Sequence, residues 1–316
     1  MPRALLPLPP EWTGVPFRRQ DALAHGISVS RLAAADLITP FDAVRAPAGP
    51  LSAATLSAAF ALRQGPDQVV SHTTALLLWG APLPRHIEQQ QVIHVSSVGA
   101  SRPRTRLTIP HLLYPKRAVT TMLDELQIMD PATSWVQSAP LLGVDDLVAA
   151  GDFLITGTEP FDGHPPLIRI DDLRRAVARH TGARGIRRAR EALGLMRYGP
   201  LSRRESQLHL MLNRGGLPPA ELNYRVRDAA GALVHMVDEA YPWARLAIEY
   251  ESLLHLEPAK FRRDIRKQQE LAAIDWETYR LTSDDVDAQL RTPASRATLA
   301  RIRAALLSRG TPLDPE

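Results

Sequence analysis

Residues 237–251 constrain the fold of this chain more than any other stretch, because they alternate as two short strands around a proline turn. Pro242 presets one turn dihedral and has no N–H for a central ladder, so we expect the chain to reverse there. If the strands pair symmetrically about this turn, Asp238 lies directly across from Glu249, with Cβ atoms about 4.5–5.5 Å apart. Alternation places Glu251 on the same face as Glu249. The opposite face is then apolar and carries Val237, Leu246, Ile248 and Tyr250.

Asp238 and Glu249 are unfavourable neighbours in this hairpin. Two carboxylates about 5 Å apart repel by roughly 3 kcal/mol at an effective dielectric near 20. A divalent cation relieves that repulsion, and Mg²⁺ binds through one or two carboxylates while keeping several waters. We therefore predict that Asp238 and Glu249 are ligands of Mg²⁺ or Mn²⁺. In the alternative interpretation the hairpin faces solvent and the acids form ion pairs with Arg245, Arg262 and Arg263.

The elements around the hairpin predict a mixed domain. Apolar spacing, capping residues and turn residues indicate the order α-β-β-β-α-β-α. An antiparallel meander that enters a helix and then a further strand is the arrangement of the restriction-endonuclease core. The predicted elements are a helix at 202–213, strands at 222–227, 232–239 and 246–251, a helix at about 258–273, a strand at 276–281, and helices to the end.

Several short motifs follow one another in this part of the chain. They are Ser202 with Glu205, Val237 with Asp238, Glu249-Tyr250-Glu251, His255, and Phe261-Arg262-Arg263-Asp264. In this order and spacing, residues 200–307 resemble a family allied to the very-short-patch repair endonucleases, within the PD-(D/E)XK nuclease superfamily. The chain departs from the family pattern at Glu251, where Asp is usual, at Ser252, where Gly is usual, and at Leu254, where a first His is common.

The resemblance implies a metal-dependent DNA endonuclease or nickase. Glu251 stands at the position of the motif lysine, where it would orient or deprotonate the attacking water or join the metal shell. His255 would act as a general base or contact the scissile phosphate. By the same resemblance Glu205 reaches the metal through water. Its alternative role is a capping box with Ser202.

A basic helix follows the acidic motif. We predict that its cationic side holds a DNA backbone, since each phosphate contact adds salt-sensitive affinity. Asp264 is expected to organise the neighbouring arginines. The alternative is an ordinary solvated helix face. The predicted DNA-binding residues are Arg262, Arg263, Arg266 and Lys267.

The N-terminal half resembles the abortive-infection antitoxin family of type IV toxin-antitoxin systems. Residues 18–46 predict a helix, a turn at Gly26, a second helix capped by Ser28 or Ser30, and a short ribbon, as in a reduced winged helix. Residues 30–36, the second helix, could contact DNA, dock a protein or have a purely structural role. The alternatives stay open because this helix carries only one arginine.

Two later stretches complete the N-terminal half. Residues 71–80 resemble a helix of the same family's middle module, with Ser71 as its cap and with no catalytic role for Ser71 or His72. Residues 122–147 are predicted to be largely helical.

The whole chain is predicted to be an α/β (α+β) protein in four parts: a reduced winged-helix-like domain at 1–50, a small α/β module at 51–155, a linker with helices at 156–199, and the nuclease-like domain at 200–316. The absence of cysteine excludes disulfides and zinc-thiolate sites. A net charge of +4, from 38 Lys and Arg against 34 Asp and Glu, permits DNA as a partner. No secretory signal or membrane-spanning segment is recognisable, so we expect a cytoplasmic protein with no membrane partner.

Two further functional hypotheses stay open at this point. One is a DNA-binding regulator or antitoxin-like protein of a phage-defence or toxin-antitoxin system, with a degenerate nuclease domain. The other is a non-catalytic interaction protein with a protein partner on the N-terminal half.

Overall fold

The computed structural model describes residues 6–99, 105–159, 163–251 and 258–310, with the side chains of 258–264 excepted. These residues form two compact units, one of Met1–Gly143 with Ile168–Arg190 and one of Val144–Leu167 with Glu191–Glu316. Helices and mixed or antiparallel sheets are both present, which confirms the predicted α/β (α+β) class. The four-part division expected from the sequence stays a prediction.

The helices of the described residues run along the whole chain. In chain order they are α1 (Arg19–Ala24), α2 (Val29–Leu32), α3 (Ala53–Ala61), α4 (His72–Leu78), α5 (Arg85–Glu88), α6 (Pro131–Ser138), α7 (Val144–Thr156), α8 (Ile170–Arg179), α9 (Ile186–Leu195), α10 (Arg203–Arg214), α11 (Pro258–Ala273) and α12 (Pro293–Ser308). None of them is long and apolar enough to cross a membrane.

The strands form three sheets. In chain order they are β1 (Phe17–Arg18), β2 (Leu37–Ile38), β3 (Val44–Pro47), β4 (Gln68–Val70), β5 (Ile93–Ser97), β6 (Thr108–Leu112), β7 (Thr120–Leu123), β8 (Leu126–Met129), β9 (Glu221–Arg227), β10 (Leu233–Tyr241), β11 (Leu246–Tyr250) and β12 (Glu277–Leu281). The sheet orders are β1-β3-β2, β6-β5-β4-β8-β7 and β12-β11-β10-β9.

The first unit begins with the expected helix pair and ribbon. Ser28 caps α2 by accepting a hydrogen bond from the N–H of Arg31, and α1 and α2 are followed by the antiparallel β2 and β3. Phe17, Ala22 and Leu32 form the small apolar core of this part.

The five-stranded sheet of the same unit corrects the prediction for residues 122–147. Residues at the start of that stretch form the antiparallel pair β7–β8, and α6 begins only at Pro131. Asp124, at φ 51°, lies at the reversal, and the side chain of Asp130 caps α6. A short apolar run suits a strand as well as a helix, and the partner strand β4 lies more than fifty residues earlier in the chain, so local periodicity did not distinguish the two.

The second unit follows the predicted order α-β-β-β-α-β-α, from α10 to α12. Strands β9, β10 and β11 are antiparallel, and β12 joins β11 in parallel. One face of this sheet is covered by apolar residues of α10 and α12, which pack with Tyr241, Leu246 and Ile248. The other face packs Ala240 and Ala247 against Leu271 of α11.

Val237 departs from the expected pattern. It lies in the cluster of Ala240, Ala247 and Leu271 and not with Leu246, Ile248 and Tyr250. Strict alternation would place Val237 and Ala240 on opposite faces. The recorded pairing of β10 with β11 covers Glu239 to Tyr241, so Val237 lies in the part of β10 that pairs with β9.

Candidate functional site

The proline hairpin forms as predicted. Residues Pro242–Ala244 make a short 3-10 turn between β10 and β11, and the pairing runs through Glu239 with Ile248 and Tyr241 with Leu246. Asp238 and Glu249, the predicted pair, each lie one residue beyond the last pair of this register. The N–H of Tyr250 donates to Asp238 Oδ2 at 2.8 Å, which ties the carboxylate to the end of β11.

Asp238 lies in a strongly unfavourable environment for a charged carboxylate. Burial is the main cause and raises its pKa to about 7, with further contributions from the charges of Glu205 and Glu249. The hydrogen bond from Tyr250 and the charge of Lys267 act in the opposite direction. Burial also raises the pKa of Glu205. Asp238 therefore lies in a desolvated place where the charges of two other acids, Glu205 and Glu249, act on it.

Glu205 also caps its own helix. Its N–H donates to Ser202 Oγ at 3.2 Å, and its Oε2 accepts from the N–H of Leu201 at 2.9 Å. The capping contacts are therefore present while the charge of Glu205 still reaches Asp238. Its contact with a metal through water stays a prediction.

Lys267 supplies a cation to the acidic cluster. It forms an ion pair with Glu249, and its Nζ donates to the carbonyl of Met236 at 3.1 Å. The sequence grouped Lys267 with Arg266 as phosphate-binding residues; in the structure its ammonium contacts the acid of β11, whereas Arg266 is exposed. The predicted residues His255, Arg262, Arg263 and Asp264 lie outside the described side chains.

Glu251 is held by a different partner. Arg280 of β12 donates to Glu251 Oε1 from Nε at 3.0 Å, and its Nη2 lies 2.8 Å from the same oxygen. The position of the motif lysine thus carries an acid paired with an arginine. The cation beside Glu249 comes instead from α11, 18 residues along the chain.

Arg245 does not neutralise the cluster. Its guanidinium pairs with Asp275 at 3.2 Å, at the exposed end of the hairpin. The alternative in which Arg245 pairs with Asp238 or Glu249 is therefore wrong for this arginine.

Glu239, next to Asp238, is a second buried acid that the sequence did not single out. Both of its carboxylate oxygens lack a hydrogen-bond partner, and burial raises its pKa. His209 Nδ1 of α10 lies 3.7 Å from Glu239 Oε2, too long for a hydrogen bond. A cavity of ≈ 60 Å³ lined by both residues has room for bridging water. A sequence signal was available, because alternation places Glu239 on the face opposite Asp238, with Ile248, where a carboxylate is out of place.

A different cluster, of histidines, lies in the first unit. His72 begins α4, and His94 and His111 come from the parallel neighbours β5 and β6. His94 Nδ1 and His111 Nε2 lie 2.8 Å apart, and the rings of His72 and His111 stack with centroids 3.7 Å apart. Among the described residues, these three are the one group of potential metal ligands whose donor atoms all lie within 4.8 Å of one another; no trio of acids meets that criterion.

All three rings are neutral at pH 7. Burial lowers the pKa of His94 and of His111 to about 4, with the charge of His111 adding to the effect on His94. The pKa of His72 is also well below its ordinary value, first because of burial and then because of the neighbouring histidines.

Ser71 does not cap α4 with its side chain, which corrects the prediction. Its hydroxyl lies 2.8 Å from His72 Nδ1 and accepts a hydrogen bond from Ser96 Oγ at 2.8 Å. The sequence assigned no role to His72 and did not single out His94 or His111. No local signal joins them, because their proximity depends on strand pairing within the sheet.

The single arginine of α2 is already engaged. Arg31 is buried and forms two hydrogen bonds with the carboxylate of Asp36, at 2.9 and 2.7 Å. This ion pair uses the side chain that a recognition helix would present to bases.

Comparison with known proteins places few limits on function. No family model matches this chain. A stretch of 116 residues, 36% of the chain, is 37% identical to an uncharacterized protein of Mycobacterium tuberculosis, found in strains CDC 1551 / Oshkosh and ATCC 25618 / H37Rv. The match spans 42% of that protein, so the chain covers less than half the length of these relatives. The resemblances to the repair endonucleases and to the antitoxins therefore stay predictions.

Proposed function

We propose that this protein is a metal-dependent endonuclease or nickase that hydrolyses DNA phosphodiester bonds, with Asp238 and Glu249 as ligands of Mg²⁺ or Mn²⁺. The observation that carries the proposal is the desolvated carboxylate of Asp238, on which the charges of Glu205 and Glu249 act, with Lys267 against Glu249. The predicted order of elements around this cluster supports it.

The donor set fits a hard divalent cation. Carboxylate oxygens are the ligands that Mg²⁺ prefers, and a pair of them suffices because the ion keeps several waters. A pKa near 7 means that the apo protein holds Asp238 charged only at a cost of several kcal/mol at higher pH. A bound cation would offset that cost, which gives a physical reason for acids in this position.

The chain's own residues have separate parts in the proposed reaction. When bound, the metal would neutralise charge on the phosphate and activate a water molecule. The N–H of Tyr250 orients Asp238, and Lys267 holds Glu249 and would carry a positive charge beside a phosphate bound at these acids. Arg280 fixes Glu251 at the end of β11, where a water-orienting role for this acid remains part of the proposal.

The regulatory alternative lacks comparable support. Arg31 of α2 is held by Asp36 within its own unit, and nothing in the described part of the chain favours base recognition by this helix. We therefore propose no second function.

Cleavage of supercoiled plasmid DNA tests the proposal. We expect nicked or linear product with Mg²⁺ or Mn²⁺ and none in EDTA. Asp238→Asn and Glu249→Gln should each slow cleavage about 100-fold or more, because the several kcal/mol supplied by the metal are lost.

Glu270→Gln is the matched control. Glu270 is an acid of α11, three residues after Lys267, whose carboxylate pairs with His235 and not with the acidic cluster, so cleavage should persist. Full activity in EDTA, or wild-type rates in both Asp238→Asn and Glu249→Gln, would show that the reaction does not use these acids.

A further inference from the structure

We propose that His72, His94 and His111 bind one divalent transition-metal ion of the zinc class. This site lies in the first unit and does not rest on the proposed nuclease function. The three imidazoles come from α4, β5 and β6, and their donor atoms already lie within 4.8 Å of one another.

The distances are close to those that coordination requires. With Zn–N bonds of about 2.0–2.1 Å and tetrahedral angles, ligand nitrogens are about 3.3 Å apart. His94 Nδ1 and His111 Nε2 are 2.8 Å apart as a hydrogen-bonded pair, so they need to separate by about half an ångström. The ring of His72 must also tilt from its stack on His111. These are side-chain movements that leave the strands in place.

Ser71 and Ser96 form a hydrogen-bonded pair next to Nδ1 of His72. A metal-bound histidine usually donates its other ring N–H to a nearby acceptor, which fixes the tautomer. Ser71 Oγ lies 2.8 Å from His72 Nδ1, where it can accept that proton and leave Nε2 for the metal. Ser96 Oγ donates to the same hydroxyl and is fully buried, so the support is internal to the protein.

The backbone of His72 gives an independent indication. It has φ 55°, a left-handed conformation that side chains other than glycine adopt only at a cost of about 1–3 kcal/mol. Such strain persists only where the surrounding contacts hold the residue in place. Here it directs the imidazole of His72 towards the other two rings.

The site is open on one side. A cavity of ≈ 470 Å³ is lined by His72 and His111, whereas His94 is buried behind them. Three protein ligands with a fourth position facing a cavity are typical of zinc sites that keep an exchangeable water. Arg117 and Arg184 line the same cavity, which favours an anionic fourth ligand such as hydroxide or a carboxylate.

The three imidazole donors determine which class of metal ion the site prefers. They suit Zn²⁺, Cu²⁺, Ni²⁺ and Fe²⁺, whereas Mg²⁺ and Ca²⁺ prefer oxygen. The histidine site and the acidic cluster should therefore select different ions within one chain.

Calorimetric titration of the chelator-treated full chain with ZnCl₂, in excess Mg²⁺ to occupy carboxylate sites, tests the proposal. We expect one equivalent of Zn²⁺ per chain. Ser71→Ala should weaken binding about 10–100-fold, as loss of a supporting hydrogen bond does, and His111→Gln should weaken it at least as much. His180→Gln is the matched control, since His180 lines the same cavity but its Nδ1 bonds to the carbonyl of Ala176.

A second measurement does not depend on any variant. Crystals of the wild-type protein soaked in Zn²⁺ should show anomalous density at the zinc edge between the three rings. The proposal is overturned if no equivalent binds, if density appears only elsewhere, or if His111→Gln folds and binds Zn²⁺ as tightly as the wild type.

Discussion

At the scale of single residues, Arg266 and Lys267 are adjacent in α11 but have different surroundings. Arg266 is exposed, whereas Lys267 contacts Glu249 and the carbonyl of Met236. A desolvated ion pair has stronger electrostatic consequences than an exposed charge, because water screens it less. The two cations should therefore affect different steps of the proposed reaction.

Substitution of each cation separates these steps. Lys267→Gln should slow DNA cleavage about 100-fold or more at saturating DNA, because it removes the charge beside the proposed metal ligands. Arg266→Gln should leave the cleavage rate unchanged at saturation and lower the salt slope of DNA binding by about one unit if it contacts a phosphate. Single-turnover cleavage and binding titrations at several salt concentrations measure both. If both variants weaken DNA affinity equally and Lys267→Gln does not change the cleavage rate, Lys267 binds phosphate, as the sequence predicted.

At the scale of elements, α7 and α10 are joined by polar contacts within the second unit. Asp152 of α7 accepts hydrogen bonds from Ser206 Oγ at 2.7 Å and from the N–H of Arg197 at 2.8 Å. Burial outweighs these contacts and raises the pKa of Asp152 to about 7. This carboxyl is a stability determinant rather than a part of the acidic cluster.

Asp152 predicts a pH dependence of unfolding. Between about pH 4 and pH 7 the unfolded chain releases this proton while the folded chain keeps it, so the free energy of unfolding falls as pH rises. The loss is on the order of 3–4 kcal/mol across that window. Asp152→Asn removes this titrating group and with it the pH-dependent loss. The free energy of unfolding of the variant, measured in urea, should therefore rise relative to that of the wild type between pH 5 and pH 8.

Asp172→Asn provides a control of opposite sign. A hydrogen bond from the N–H of Arg169 lowers the pKa of Asp172, so its stabilising effect is present above the unfolded pKa and is lost in acid. Asp172→Asn should therefore be less stable than the wild type at neutral pH, with the difference fading in acid. A stability gain of Asp152→Asn that is the same at pH 5 and pH 8 would contradict the assigned protonation.

At the scale of the whole molecule, the second unit is built from two separated segments of the chain. The earlier segment contains α7, and its acids pair with arginines of α10: Asp146 with Arg203 at 2.7 Å and Asp145 with Arg214 at 2.5 Å. The sequence placed the start of the nuclease-like domain at residue 200, beyond α7. Removing α7 leaves the polar groups of α10 without these partners.

Three fragments test this boundary. Residues 144–316 should unfold at higher urea than residues 200–316, by a free energy of a few kcal/mol, because α7 supplies several hydrogen bonds and apolar contacts. Residues 168–316 control for length, since they add α8 and α9 but not α7. If the fragment of 168–316 is as stable as that of 144–316, α7 is dispensable and the domain begins after it.

Local sequence preferences by themselves determine the hairpin and the order of elements in the second unit. Pro242 and the alternation on each side of it specify the hairpin and its register from Glu239 to Ile248, and this brings the charge of Glu249 close enough to act on Asp238. The order of elements from α10 to α12 was predictable for the same reason, because caps, turns and periodicity are local properties.

Only the tertiary structure decided the remaining contacts. Lys267 reaches Glu249 because α11 packs on the face of the sheet that carries Ala240 and Ala247. His72, His94 and His111 meet because β5 and β6 are parallel neighbours beside α4. Contacts of this kind join residues that are far apart in the chain. They depend on the order of strands in the sheet and on the position of the helix packed against it. No local preference of the residues involved determines either of these.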